Sequence, residues 1–484
     1  MSEVNSSDLT EINRVEDIFD LYSGSGNQAK AGIEVEISFF NPEDDNLAPM
    51  SLCQNKILKN ATLDMIPDDD WLHNEPTSEL LEVASKADSF ENAQKILDDT
   101  NHKIKLLSNK AEGLGLKRSY FQELPERSAD DLLSRIVDVD RYKIMYAPYR
   151  EDMKKCVEYF AVCKSNQISV SPYDMDHMLE NVRRLYILAP FLFLLTDNSA
   201  SYVGGKKYNG HAGMQLRHEG LLEGRGGVVP HAFSSKSGEE FIDNHINHVF
   251  NNPLFMYYDY EGHLNRVPSG DWSVTFNSLK DRGLNTASNY YLAQSLLWPD
   301  VKIAALKKDD GSVYGHRFEA RMFGVGTHQH QTAFIITTML AFNKNFAKAV
   351  DLLIEEYGFS PYIHEQCLEL VTSSYKAARE HNGKFFNIKY GNGEMAEFAK
   401  SFADLLENAI DETSFERQAQ PLLKICRTGC TDAKVNRTLF PTLTDNIDYQ
   451  RKYDSHIFDY SNKCAREIFE KRLKESSNLI CSSY

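Results

Sequence analysis

The clearest pattern in the chain is the alternation in Gly32-Ile33-Glu34-Val35-Glu36-Ile37. Strand geometry sends neighbouring side chains to opposite faces, so Ile33, Val35 and Ile37 can meet a core while Glu34 and Glu36 share the other side. The same period recurs in Ser165–Ser171, where Gln167 and Ser169 alternate with Ile168 and Val170, and in HRFEARMF, where Arg317, Glu319 and Arg321 alternate with Phe318, Ala320 and Met322. Leu80, Leu81 and Val83 supply the apolar part of a further segment, EPTSELLEVAS, with Glu82 among them. Helical periodicity predicts a short helix over Val15 to Tyr22, a surface helix over 90–112, and a long one over 174–195 ending in the apolar run Leu188 to Leu195. Further helices are predicted over 331–357, 361–380, 396–410 and 446–474. The loop signal at 41–46 and the polar start of the chain suggest a leader with one helix (1–30), a sheet-bearing part (31–345) and a helical C-terminal part (346–484).

The polar positions change the picture. Glu34 and Glu36 would sit roughly 7 Å apart. Carboxylates so close repel unless a cation lies between them or one keeps its proton. A solvated edge strand is the plainer alternative. Glu82 within an apolar run calls for a partner, unless the segment is a helix start with Glu82 outside. Arg317-x-Glu319-x-Arg321 reads either as a cross-strand ion-pair ladder or as a metal carboxylate flanked by phosphate-binding guanidiniums.

Composition narrows the class. The chain has 484 residues, 42% hydrophobic and 25% charged, which describes a globular protein. With 53 basic against 70 acidic residues the net charge is −17, which argues against nucleic acid as a general partner. No segment is apolar for long enough to suggest a membrane span. The polar start lacks a signal-peptide pattern, so a cytoplasmic protein is expected. Eight scattered cysteines fit reduced thiols better than a disulfide framework.

In order and spacing, these pieces resemble the glutamate–cysteine ligase superfamily of carboxylate–amine ligases. That family opens with a G-x-E-x-E strand, matched by Gly32, Glu34 and Glu36. Two acids seven residues apart follow, matched by Glu75 and Glu82. Gln167-Ile168-Ser169 looks like its third strand, Asn198-Ser199-Ala200-Ser201 and Arg217 like its turn and arginine, and Glu319-Ala320-Arg321 like its final E-V-R. Ser169 stands where the family has Asn, and Gly324 lies near the place of a common Asp. The resemblance covers residues 30 to 340.

The resemblance implies an α+β fold, a curved and mainly antiparallel sheet lining the active site and backed by helices, as in glutamine synthetase. It implies an ATP- and Mg²⁺-dependent ligase that joins a carboxylate to an amine through an acyl phosphate, with Mn²⁺ as the alternative ion and glutamate and cysteine as default substrates. Glu34, Glu36, Glu75, Glu82 and Glu319 would be metal ligands. Arg217 and Arg321 would hold the transferring phosphoryl group. Gln167, Arg141, Tyr149 and Arg150 would contact substrate. Another amine, a guanidino kinase or a degenerate nucleotide-binding scaffold are the competing readings.

Overall fold

The computed structural model describes residues 11–22, 29–43, 47–67, 71–122, 134–146, 163–199, 202–203, 206–220, 224–268, 270–307, 313–360, 364–410 and 415–439, together with 442 and 444. Tyr149, Arg150 and the helix expected over 446–474 lie outside them.

An eight-stranded sheet organises the molecule. Its strands are β1 (Lys30–Phe40), β2 (Leu72–Asn74), β3 (Leu80–Ala84), β4 (Asp88–Ser89), β5 (Lys117–Ser119), β6 (Asn166–Val170), β7 (Val301–Lys307) and β8 (Val313–Phe323). They run in the order β7-β8-β6-β1-β3-β2, with β4 and β5 also paired to β1. Every pairing is antiparallel, and the sheet curls into a half-barrel backed by helices, as expected from the sequence.

The alternation explains the two faces. Ile33, Val35, Ile37 and Phe39 of β1 are each 1% exposed. Their face of the sheet meets the helices Ala93–Gly113 and Gln329–Phe342, while Met175–Leu195 packs on β7 and β8. The helix Met175–Leu195 carries the apolar run, and residues 185 to 195 are all buried. Val15–Tyr22 forms the short N-terminal helix expected, with Ile18 and Tyr22 sealed against the helix Gly238–Asn251 and β8. The stretch expected as one helix over 331–357 is two, Gln329–Phe342 and Lys344–Glu356. Asn343 divides them, because its side chain accepts the Phe346 N–H at 3.0 Å and caps the second helix.

The C-terminal helices share the core of the sheet-bearing part. Glu416–Thr428 packs on Gln329–Phe342 and Met175–Leu195, and one apolar cluster runs from Ile12 to Cys426. Asp432–Leu439 plugs into the turn after the long helix, where Asn436 donates to Asn198 at 3.0 Å and Ala433 N–H to the Asp197 carbonyl at 2.9 Å. Among the described residues no helix is long and apolar enough to cross a membrane.

Buried histidines give the fold an acid limit. His231 packs between His245 and His248, with ring centroids 6.0 and 5.5 Å away. Burial, then the charge of His248, pushes His231 down to about 3 from an ordinary 6.5. Such a group stays neutral in the fold while the unfolded chain takes up its proton. Its stabilisation is complete above pH 6.5 and is lost as pH falls from there toward 3. The slope is at most about 1.4 kcal/mol per pH unit for each such histidine. Urea midpoints measured across this range should fall with acid, and His231→Asn should flatten the fall; equal slopes in the two proteins would remove His231 from this role.

Candidate active site

Directly opposed residues of an antiparallel pair share a face, so the register alone assembles the site. Lys302 is opposite Glu319, and Glu319 opposite Ser169. Gln167 is opposite Glu34, Glu36 opposite Glu82, and Glu82 opposite His73. One row of polar side chains therefore crosses the concave face from β7 to β2. Glu75 joins it from the loop after β2.

The acids converge in two groups. One carboxylate oxygen from each of Glu36, Glu75 and Glu82 lies within 4.8 Å of the others. Gln167 ties this trio together, donating to Glu36 Oε1 at 2.7 Å and to Glu82 Oε2 at 3.5 Å. The Ser165 N–H fixes the other Glu36 oxygen at 2.7 Å. Glu34 and Glu319 form the second group, with Arg317 between them: its Nη1 is 3.9 Å from Glu34 and its Nη2 3.4 Å from Glu319. Arg321 also pairs with Glu319.

Glu319 differs from the other four acids in charge. Burial, and then the other acids, push Glu34 up to about 7 and Glu75 up to about 8. Glu82 rises well above the ordinary carboxylate range for the same reasons. Glu36 is raised by burial, against the pull of the Ser165 N–H. Burial would also raise Glu319, but Arg321, Arg317 and Lys302 outweigh it and hold Glu319 down to about 2. The charged forms of the trio are thus left uncompensated by the protein, and protons are held there that a bound cation would displace. That donor set, all hard carboxylate oxygens, fits a divalent cation such as Mg²⁺.

The arginines take different places. Arg321 faces the site, and its backbone N–H is held by the Asp300 carbonyl at 2.8 Å. Arg217 is buried. Its Nε lies 2.6 Å from Asp300, and its Nη atoms donate to the carbonyls of Arg321 at 2.9 Å and Pro299 at 3.2 Å. The phosphate contact expected of Arg217 has a structural competitor. Its guanidinium is spent on holding the β8 backbone at Arg321, although its charge still reaches Glu36. Arg141 comes from the helix Asp140–Met145, bonds the Ser295 carbonyl at 3.1 Å, and lies close enough to lower Glu75.

Two further residues escape sequence reasoning. Lys302 stands beside Glu319 and Arg321; burial, then the Arg321 charge, press its ammonium down to about 7. Its signal was a lone lysine on the polar parity of the strand Val301–Lys307. Tyr142, next to Arg141, is raised by burial and by Glu75. Asn198 of the N-S turn lies away from the acids, donating to the Val325 carbonyl at 3.1 Å and to the Tyr120 carbonyl. Gly324 has a local reason: a Cβ there would meet the Thr196 carbonyl oxygen at 2.5 Å.

No family model matches the sequence, and no curated protein does. Solved structures do match. A glutamate–cysteine ligase from Francisella tularensis, solved in complex with AMP, aligns over 95% of this chain and 95% of its own, at 10% identity and a TM-score of 0.53. A bifunctional glutathione synthetase from Pasteurella multocida aligns over 90% of this chain and 54% of its own, at 11% identity and a TM-score of 0.34. A curled antiparallel sheet with an acidic concave face, superimposable along nearly its full length on the first of these, gives this chain the fold of a glutamate–cysteine ligase.

Proposed function

We propose that the chain is an ATP- and Mg²⁺-dependent carboxylate–amine ligase, forming an amide of the γ-glutamyl type with L-glutamate and L-cysteine as default substrates; a different amine is the alternative. The observation that carries this reading is the convergence of five carboxylates and Gln167 on one concave face. The fold shared with a glutamate–cysteine ligase supports the same reading.

Direct attack of an amine on a carboxylate fails because oxide is a poor leaving group. In the proposed reaction a carboxylate oxygen of the donor attacks the γ-phosphorus of ATP, and ADP leaves. The amine nitrogen then attacks the acyl carbon, the C–O bond to phosphate breaks, and the nitrogen gives up its proton. Positioning and charge neutralisation do most of this work. Glu36, Glu75 and Glu82 would hold Mg²⁺, with Glu34 and Glu319 adding oxygens beside them. Bound there, the ion would neutralise phosphate oxygens and orient them. Arg321 and Arg317 reach toward the same space and would hold the transferring phosphoryl oxygens. Gln167 keeps two of the acids in place. Arg217 acts as a positioning residue for Arg321. Arg141 would meet substrate from the side of Glu75, and Tyr149 and Arg150 would contact substrate as the resemblance implies.

The test is a product assay. The protein is incubated with ATP, Mg²⁺, glutamate and a panel of amines. ADP release together with a mass equal to acid plus amine less one water is expected, and so is a rise in melting temperature with ATP and Mg²⁺, because a ligand bound only by the folded state stabilises it. ADP without any condensed product would end the ligase reading. A thermal shift with nucleotide but no ADP release would favour a nucleotide-binding scaffold, and no shift at saturating nucleotide would count against both readings.

A further inference from the structure

Beyond the acids, toward β7, the concave face opens into a cavity of about 560 Å³. Three cationic side chains line it, Lys30, Lys302 and Arg317. No aspartate or glutamate is among the lining residues, in a chain whose net charge is −17. The remaining wall mixes apolar side chains, Val170, Ala304 and Leu306 among them, with neutral polar ones, including Ser169, Tyr291 and Gln294.

The three cations are not equivalent. Lys30 is exposed at the rim. Arg317 is shared, touching Glu34, Glu319 and Ser169 Oγ on the side of the acids. Lys302 lies on the outermost strand β7, opposite Glu319, with Ala304 two positions on opposite Arg317. Among the described residues its ammonium makes no hydrogen bond and no ion pair within 4 Å. Glu319, opposite it, is already shared by Arg317 and Arg321, so a half-buried ammonium beside two guanidiniums has room for a further acceptor. The open side of Lys302 faces the cavity.

We propose that this cavity takes the anionic end of a substrate, a carboxylate or phosphate group on a small body, and that Lys302 is the residue that recognises it. The inference rests on the ligase reading for the word substrate, and it deepens that reading by excluding polyamines. A diamine placed here would meet three like charges at close range. An anion placed here would lie next to Glu319 and Arg321, where group transfer is proposed. Carboxylate and phosphate share this chemistry, and only binding separates them.

The experiment is isothermal titration of the full chain with three probes: L-glutamate, ATP with Mg²⁺, and putrescine. No amine acceptor is added and no product forms. Saturable binding of an anion, with putrescine at least tenfold weaker, is expected for the unaltered protein. Lys302→Met should weaken at least one anion tenfold or more, and Lys302→Arg should restore it. A loss in the glutamate arm identifies a carboxylate, a loss in the ATP arm a phosphate, and a loss in both a wall shared by the two. Should Lys302→Met fail to fold, Ala304→Glu, which sets a carboxylate opposite Arg317, should give the same loss. Unchanged binding of both anions by a folded variant overturns the proposal. So does putrescine binding better than either anion, or no anion binding at all. Because these are binding measurements, a failed product assay leaves them readable, and their failure leaves amide formation standing.

Discussion

Glu82→Gln should lower ATP-dependent turnover more than about a hundredfold and, in the same protein, raise the melting temperature measured in EDTA by about 2 °C. Both effects have one origin. The Glu82 carboxyl is half-buried and faces Glu34, Glu75 and Glu36, so its charged form is unwelcome without an ion. Glutamine keeps the shape, removes the repulsion, and still meets Gln167 across 3.5 Å. The unliganded fold gains what the site loses, the exchange expected where function keeps like charges together. The gain in melting temperature should disappear when Mg²⁺ is added, because only the unaltered trio then recovers its deficit. Turnover close to that of the unaltered protein would mean that Glu36, Glu75 and Glu82 hold no catalytic ion. An unchanged melting temperature in EDTA would mean that the trio is not strained.

Arg321→Ala should cost about 3 kcal/mol of transition-state stabilisation, roughly a hundredfold in a single-turnover rate, by analogy with the loss of one preorganised oxyanion donor. The side chain is placed for this from both ends. Asp300 and Arg217 fix its backbone, and Glu319 fixes its guanidinium. Arg321→Lys should recover only part of the rate, since an ammonium lacks the planar fork that matches phosphate oxygens. ATP affinity should move much less than rate if the contact forms mainly in the transition state. Equal losses in affinity and rate constant would assign Arg321 to ground-state binding, and no loss in either would remove it from the site.

The sheet was legible in the sequence because β1, β6 and β8 each carry one apolar and one polar face. Period-two alternation records that directly, and it separated Glu34 and Glu36 from Ile33, Val35 and Ile37 without reference to any other strand. Pairing partners were harder. That Glu36 lies opposite Glu82, and Glu319 opposite Ser169, depends on register between segments far apart in sequence, which local pattern does not carry. The family resemblance supplied the grouping that periodicity could not. The backbone contacts of Arg217 were illegible for a related reason: a guanidinium serves a backbone carbonyl as readily as a phosphate, and only its surroundings distinguish the two. Lys302 escaped because a strand with two lysines and two alanines reads as an ordinary edge. Its meaning comes from Glu319 and Arg321 on the neighbouring strand.

The scattering of the site along the chain has a consequence for synthesis. When the polypeptide has been made as far as Val170, it already carries Glu34, Glu36, Glu75, Glu82 and Gln167, but none of the positive side chains of β7 and β8. About 150 more residues must follow before Glu319 and Arg321 appear, a delay on the order of 10–30 s at ordinary ribosomal speed. Throughout that interval the growing half-sheet has β6 as an unpaired border and an uncompensated electronegative hollow beside it. Closure of the concave face is thereby deferred to a late stage of translation, when the last two strands arrive together with the counter-charge they bear.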